Sequence, residues 1–249
     1  MQMRVEGMAG ASLAANEIAA LLDWWALAGA DTPLLETPRP WLGPESGPGA
    51  AGPGAASAPA SPAFRAADAD TGEWASLPSL DALREAVLAT TPGAPFADGN
   101  PASGLMLLGE APSAEDLATG RPFSGPAGRF LDRMLASIGV DRGNCYIGLL
   151  CPRRRLAGTP SPEDIAADLP LALAHIRLAK PRHLLLLGAK PVQALSGNST
   201  PISRIRGQWL AVDGIPALAT FNPAYLLRRP EEKAHAWADL LALGQRLGR

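Results

Sequence analysis

The stretch GLMLLGEAPSAEDLATGRPFSGPAG, Gly104 to Gly128, carries the two signals from which the fold is read. Its opening run is apolar, short and bounded by glycines, which reads as a strand buried on both faces. A glycine- and proline-rich loop follows, carrying Glu110, Glu115, Asp116 and Phe123. Such a loop lets the backbone approach a ligand closely and leaves amide N–H groups free to bind an anion. It lacks the G-K-[ST] ending of a P-loop, and its glycines do not have dinucleotide-fingerprint spacing.

Three similar apolar runs lie downstream, at 144–150 (NCYIGLL), 183–188 (HLLLLG) and 215–220 (IPALAT). Helical patterns fall between or after them, near 126–138, 162–179, 189–196 and 231–246. The alternation predicts an α/β domain: three layers, α/β/α, around a central four-stranded parallel sheet. In such sheets ligands bind beyond the carboxyl ends of the strands. Chemistry is therefore expected in the segments Glu110–Gly125, Cys151–Gly158, Ala189–Pro191 and Phe221–Arg229. The last lies in TFNPAYLLRRP, Thr220 to Pro230. Its leucines and arginines suit a wedge pushed into a stacked duplex while charges grip the backbone. The other reading has Leu226 and Leu227 begin the packing of the final helix. Arg153, Arg154 and Arg155 form a charge run that is either a solvated face or, leaving a strand end beside these loops, a phosphate contact.

Upstream, residues 77–89 read as a helix with Leu77, Leu80, Leu83 and Val87 on one side. Residues 12–28 read as an amphipathic helix with Ser12 as its cap. From Pro38 to Ala63 the composition collapses to Pro, Gly, Ala and Ser, which cannot build a packed core. The expected organisation is an N-terminal helical segment (1–37), a flexible linker (38–76) and one folded domain (77–249).

The whole chain of 249 residues has a formal charge of −2, which argues against a strongly basic nucleic-acid binder. That average conceals a division. Residues 1–103 carry 4 basic and 12 acidic residues, a balance of −8, whereas residues 104–249 carry 18 and 12, a balance of +6. Two cysteines, Cys145 and Cys151, are too few for a disulfide framework and fit no C-x-x-C motif. No apolar run reaches membrane-spanning length, and Glu17 and Asp23 interrupt any signal-peptide core, so a cytoplasmic protein is expected. His175, His183 and His235 show no metal-ligand spacing and read as packing or surface residues.

Together these segments resemble the uracil-DNA glycosylase superfamily, and its family 4 in particular. Gly109–Ser113 matches G-E-[AG]-P-G and Gly120–Gly128 matches G-R-P-F-x-G-x-A-G. Tyr146–Leu149 stands where the family has Y-I-T-N, and Thr159–Glu163 matches its P-x-x-E segment. Leu187–Ala189, Arg206–Trp209 and Asn222–Arg228 match L-G-A, R-G-x-W and H-P-A-Y-L-L-R. The match runs in the family's order from about Phe96 to the C-terminus.

The resemblance implies an enzyme that flips a uracil out of DNA and hydrolyses its N-glycosidic bond. It places Glu110 as the motif-one acid, Asp116 as the carboxylate that orients the attacking water, and Asn222 at the motif-two donor. Phe123 would stack on the base, with Ala111 and Leu149 in the base pocket. Ser113, Arg153, Arg154, Arg155, Arg204, Arg206, Pro223, Tyr225, Leu226 and Arg228 would contact DNA.

Four departures from the family pattern accompany the match. The base-reading Asn of Y-I-T-N falls at Leu149 or is lost in a one-residue deletion nearby, and leucine cannot hydrogen-bond a base edge. The motif-two His is Asn222, which donates through a neutral amide; losing one such donor typically costs about 10²–10³ in rate. Asn-Pro also resembles the second motif of the superfamily's mismatch-specific branch. The iron–sulfur cysteines are missing: two are replaced within Thr90–Pro95 and a fourth falls at Asp168, so no cluster is expected. Ser113 replaces the glycine that closes motif one. Two functions follow: a glycosylase acting on a damaged or mismatched base through a divergent site, or a catalytically degenerate relative that binds DNA or a repair partner. A monomer is expected, with the N-terminal helix as the surface for any protein partner.

Overall fold

In the computed structural model, residues 72–153 and 159–248 are described; the helix read at 12–28, most of the linker, and Arg154 and Arg155 lie outside them. Within the described residues, six strands make one sheet: Ala97–Gly99 (β1), Leu105–Gly109 (β2), Tyr146–Leu149 (β3), His183–Leu187 (β4), Trp209–Val212 (β5) and Ile215–Thr220 (β6). Their order is β1-β3-β2-β4-β6-β5. The four predicted runs are the four mutually parallel central strands, with Met106 beside both Tyr146 and Leu184, and Leu186 beside Ala219. The sheet is larger than expected, because β1 pairs antiparallel with β3 and β5 antiparallel with β6 at its edges.

The helices are Leu80–Thr90 (α1), Ala114–Thr119 (α2), Pro126–Ala136 (α3), Pro162–Ala179 (α4), Ala189–Ser196 (α5), Ile202–Ile205 (α6), Pro223–Arg228 (α7) and Lys233–Leu247 (α8). Local chemistry fixes their starts. Ser79 accepts from Ala82 N at 3.1 Å to open α1, and Pro126 and Pro162 occupy the first turns of α3 and α4, where a missing N–H costs nothing. Period-two alternation in the strands then divides the core between two faces. Leu105, Leu107, Ile147, Leu185 and Leu218 meet Leu131, Met134 and Leu135 of α3 and Leu240 and Leu243 of α8. Met106, Leu108, Leu184 and Leu186 meet Ala172, Leu173 and Ile176 of α4 and Val192 and Leu195 of α5 on the other face. This is the three-layer arrangement the alternation predicts.

A third cluster joins α1 to α4 through Leu83, Val87, Phe96, Leu171 and Ala174, and it includes Trp74. Trp74 belongs to a 3₁₀ turn, Gly72–Ser76, whose Ala75 carbonyl accepts from the Arg177 guanidinium at 3.0 Å. Packing against α4 thus extends upstream of residue 77 to Trp74, because an indole supplies apolar area that the surrounding alanines and glycines lack.

The chain leaves β2 through α3 on one face and leaves β4 through α5 on the opposite face. Adjacent strands whose connections diverge in this way open a crevice at their carboxyl ends. Glu110, Gly188 and Phe221 each follow the last residue of a strand bordering it.

Candidate active site

Two adjoining cavities, about 340 and 260 Å³, occupy that crevice and share Glu110, Ala111, Asn222 and Ala224 as walls. The smaller is completed by Ser113, Glu115, Asp116, Phe123 and the start of α3 from Gly125 to Gly128. The larger extends past Gly188 and Ala189 to Tyr225 and Arg228. All three expected catalytic side chains and the expected stacking aromatic thus line one chamber, although they come from the end of β2, from α2, from the loop before α3 and from the start of α7.

Glu110 ends up there because Leu108 and Gly109 finish the buried strand and the next side chain emerges into the crevice. Among the described residues its carboxylate has no hydrogen bond or ion pair. Burial raises its pKa above the ordinary 4.5, opposed by the charge of Lys190 at the start of α5. Lys190 carries no motif of its own, and its place in the Ala189–Pro191 segment, just past the end of β4, is the one sequence feature that points to it.

Asp116 is fixed by reciprocal capping. Ser113 Oγ accepts from Asp116 N at 3.2 Å, and Asp116 Oδ2 accepts from Ser113 N at 3.0 Å. This box starts α2, a six-residue helix inside what reads as loop. Asp116 Oδ1 also accepts from Ser124 N at 2.6 Å, so the carboxylate, 4% exposed, ties α2 to the loop that carries Phe123. Each oxygen keeps further lone-pair capacity for a water.

Phe123 has φ of 54°, a left-handed backbone that a side chain makes unfavourable. Its ring lies so close to Gly109 that a Cβ there would come within 2.6 Å of Cε2, and within 3.0 Å of Leu149 Cδ2. A Cβ at Gly128 would meet the Phe123 carbonyl oxygen at 1.6 Å. The glycines of G-E-A-P and of P-A-G are thus the seat of the aromatic ring.

Asn222 caps α7: its Oδ1 accepts from Ala224 N at 2.8 Å. That bond fixes the amide orientation and leaves Nδ2 as a donor at the wall common to both cavities.

Several expected contacts have other partners. Leu149 is buried on the α3 face of the sheet beneath Phe123 and lines neither cavity, because the strand's alternation turns its side chain inward. Leu226 is 0% exposed and packs in the same core, whereas its neighbour Leu227, 38% exposed, holds the outer position. Pro223 is buried, and Tyr225 stacks on Phe221 at 5.2 Å between centroids. Arg153 donates from Nε to the buried Asp168 at 2.5 Å. Arg206 donates from Nε to Asp239 Oδ2 at 2.9 Å, and Thr220 Oγ1 donates to that same oxygen at 2.8 Å. Both guanidiniums therefore hold buried carboxylates instead of standing free for phosphate. Arg204 and Arg228 are exposed, the latter at the rim of the larger cavity. His175 is a packing residue: it stacks on Phe96, meets the Tyr146 hydroxyl at 2.9 Å, and burial brings its pKa down to about 4.

A family model described as the uracil DNA glycosylase superfamily matches residues 96–241, the span that contains the sheet and both cavities. The chain belongs to the uracil-DNA glycosylase superfamily. The type-4 uracil-DNA glycosylase of Pyrobaculum aerophilum is 33% identical over 155 residues, covering 57% of this chain and 78% of that protein. That of Thermotoga maritima is 35% identical over 136 residues, 53% of this chain and 70% of the relative. That of Archaeoglobus fulgidus is 29% identical over 163 residues, 61% and 80% respectively. No helix among the described residues of this superfamily member is long and apolar enough to cross a membrane.

The residues present do not fit the iron–sulfur cluster that likeness to type-4 glycosylases implies. A cluster of that kind is held by four thiolates, and the chain has two cysteines. Both are buried and outside any disulfide, on opposite faces of the sheet, Cys145 on the α3 side and Cys151 on the α4 side. Burial pushes the Cys145 thiol up to about 12, far from the thiolate a metal needs. Asp168, at a position the family pattern gives to cysteine, is engaged by Arg153.

Proposed function

We propose that this chain is a DNA glycosylase that hydrolyses the N-glycosidic bond of a damaged or mismatched base extruded into the smaller chamber. The observation that carries this reading is the convergence of Glu110, Asp116, Phe123 and Asn222 on one cavity of about 260 Å³ at the strand ends. Membership of the superfamily and the type-4 relatives support the reaction class.

In this reading the flipped base stacks on Phe123. Rupture of the glycosidic bond leaves negative charge on the departing base, and the Asn222 Nδ2–H donates to the carbonyl oxygen where it collects. Glu110 and Asp116 stand on the sugar side, where a carboxylate orients water and stabilises the oxocarbenium-like sugar. Lesion choice differs from that of an enzyme with a base-reading amide. Leu149 is buried, and the smaller cavity offers Asn222 as its only side-chain amide among the described lining residues. A site without paired donors and acceptors for one base edge discriminates weakly, whereas a built one discriminates by about 10⁴ or more. Arg204, Arg228 and the exposed Leu227 meet the duplex, the leucine filling the gap that the extruded base leaves. The protein acts as a monomer without an iron–sulfur cluster.

The decisive experiment incubates purified protein with labelled duplexes containing uracil, mismatched uracil, hypoxanthine or xanthine, followed by hot alkali. Strand scission at a lesion, lost in Glu110→Gln, supports the enzyme. Retarded DNA without scission at any lesion leaves the second reading, a degenerate DNA-binding relative, which the burial of Leu149 favours. Iron and acid-labile sulfide in stoichiometric amount would overturn the cluster-free part.

A further inference from the structure

The loop that presents Phe123 adopts a backbone its own residue resists. A left-handed φ is unfavourable for a residue with a Cβ, and such strain persists only where the surroundings over-determine it. One side of the loop is held by Asp116 through Ser124 N. The other is held by an arginine that lines neither cavity and lies in the turn before β3. Arg142 Nη2 donates to the Phe123 carbonyl at 2.6 Å and Nη1 to the Pro122 carbonyl at 3.2 Å. The same guanidinium is anchored by Asp98 of β1, Nη1 to Oδ2 at 2.5 Å, and by Asp132 of α3, Nε to Oδ1 at 2.8 Å.

We propose that Arg142 is a positioning residue for base excision: it locks the Pro122–Phe123 carbonyls so that the Phe123 ring is seated to stack on the extruded base before DNA arrives. The proposal rests on the glycosylase reading above. Three features of the geometry support it. All three guanidinium nitrogens are used, two of them on the carbonyls that flank the strained peptide, which is more than an ion pair between β1 and α3 requires. A planar fork can serve these partners at once, and the compact ammonium of lysine cannot. Finally, the Phe123 carbonyl is packed onto Gly128, so a shift of the loop moves the ring relative to Gly109 and the cavity wall together. A displacement of about 1 Å at a positioning group can cost on the order of 10²-fold in rate.

The test labels the protein with 4-fluorophenylalanine. The chain has five phenylalanines, and Phe123→Leu assigns the relevant fluorine resonance. In Arg142→Met the Phe123 signal should shift or broaden while the other four hold. Single-turnover base release should slow by about 10–100-fold, with affinity for duplex containing an abasic site changed far less. Arg142→Lys should recover only part of the rate. If Arg142→Met does not fold, Asp132→Asn carries the test: this side chain is 44% exposed and touches the network only through Arg142 Nε, so the same signal should move by less. An unmoved Phe123 signal in a folded variant, or a moved signal with unchanged base release, overturns the proposal. Absence of base release by the wild type on every lesion would sink the glycosylase reading instead, and the fluorine spectrum would still decide whether Arg142 holds Phe123.

Discussion

Replacing Asp116 by asparagine is the natural probe of the water-orienting role proposed for it, and the structure implies that it reports on two things at once. The two carboxylate oxygens accept from Ser113 N and Ser124 N in a nearly solvent-free position. Asparagine keeps one acceptor and turns an NH₂ donor toward the other N–H. One charge-assisted bond is lost, worth about 1.5–3 kcal/mol, and a buried donor is left facing a donor. A destabilisation of about 2–4 kcal/mol follows, or roughly 4–16 °C in melting temperature for a domain of this size. Urea denaturation followed by tryptophan fluorescence measures it, and the midpoint should fall by about 1–2 M. Glu110→Gln is the control, because that carboxylate has no hydrogen bond to lose. Its pKa is raised by burial, so the ionised form is disfavoured in the folded state, and wild-type stability declines as pH climbs through and above 4.5. Glu110→Gln should remove that decline. A variant Asp116→Asn that melts with the wild type, yet has lost activity, would refute the structural half of this reasoning and leave Asp116 purely catalytic.

Three further outcomes are expected. Arg206→Met leaves Asp239 buried without its guanidinium and should cost about 3–5 kcal/mol with little change in the salt dependence of DNA binding; Arg228→Met should reduce the salt slope by about one and leave stability intact. Leu226→Ala should cost about 2–5 kcal/mol in a denaturation series, whereas Leu227→Ala should leave stability unchanged and slow base release from duplex more than from single strands. His175, neutral in the fold with a pKa of about 4 against an ordinary 6.5, binds a proton in the unfolded chain first. Stability should therefore fall by about 3 kcal/mol as pH drops from 6.5 to 4, and His175→Gln should flatten that part of the profile.

The central sheet is legible in the sequence because β2, β3, β4 and β6 are covered on both faces and so read as unbroken apolar runs. The edge strands escape for the converse reason: Ala97–Gly99 needs only backbone pairing to β3, and Trp209–Val212 has one inner neighbour. Two short helices hide within segments that look like loops. Reading S-A-E-D at 113–116 as a capping box reveals α2, and taking Asn222 as a cap instead of a turn residue reveals α7 and sends Leu226, four residues on, into the core. The ion pairs of Arg153 and Arg206 escape the sequence for a different reason. Their buried carboxylates lie 15 and 33 residues further along the chain, and local charge patterning carries no trace of such pairings. The chamber itself is readable as an ordered set of motifs; the Arg142 network is not, since it lies in the turn before β3 and not at the carboxyl end of a strand.

The chamber is walled by helices that could not exist alone. Segments of six residues lie far below the length at which a helix persists in water, so α2 and α7 depend on their caps and on the sheet beneath them. The capping side chains are Ser113, Asp116 and Asn222, the same groups that face the cavity. Occupancy of the cleft and order of its walls are consequently linked: a base held by Asn222 and Phe123 raises the free energy needed to open α7 and α2, in proportion to its affinity for the closed form. Amide hydrogen exchange in these two helices is thus a direct reporter of lesion binding, and it remains one even for a substrate the protein never cleaves.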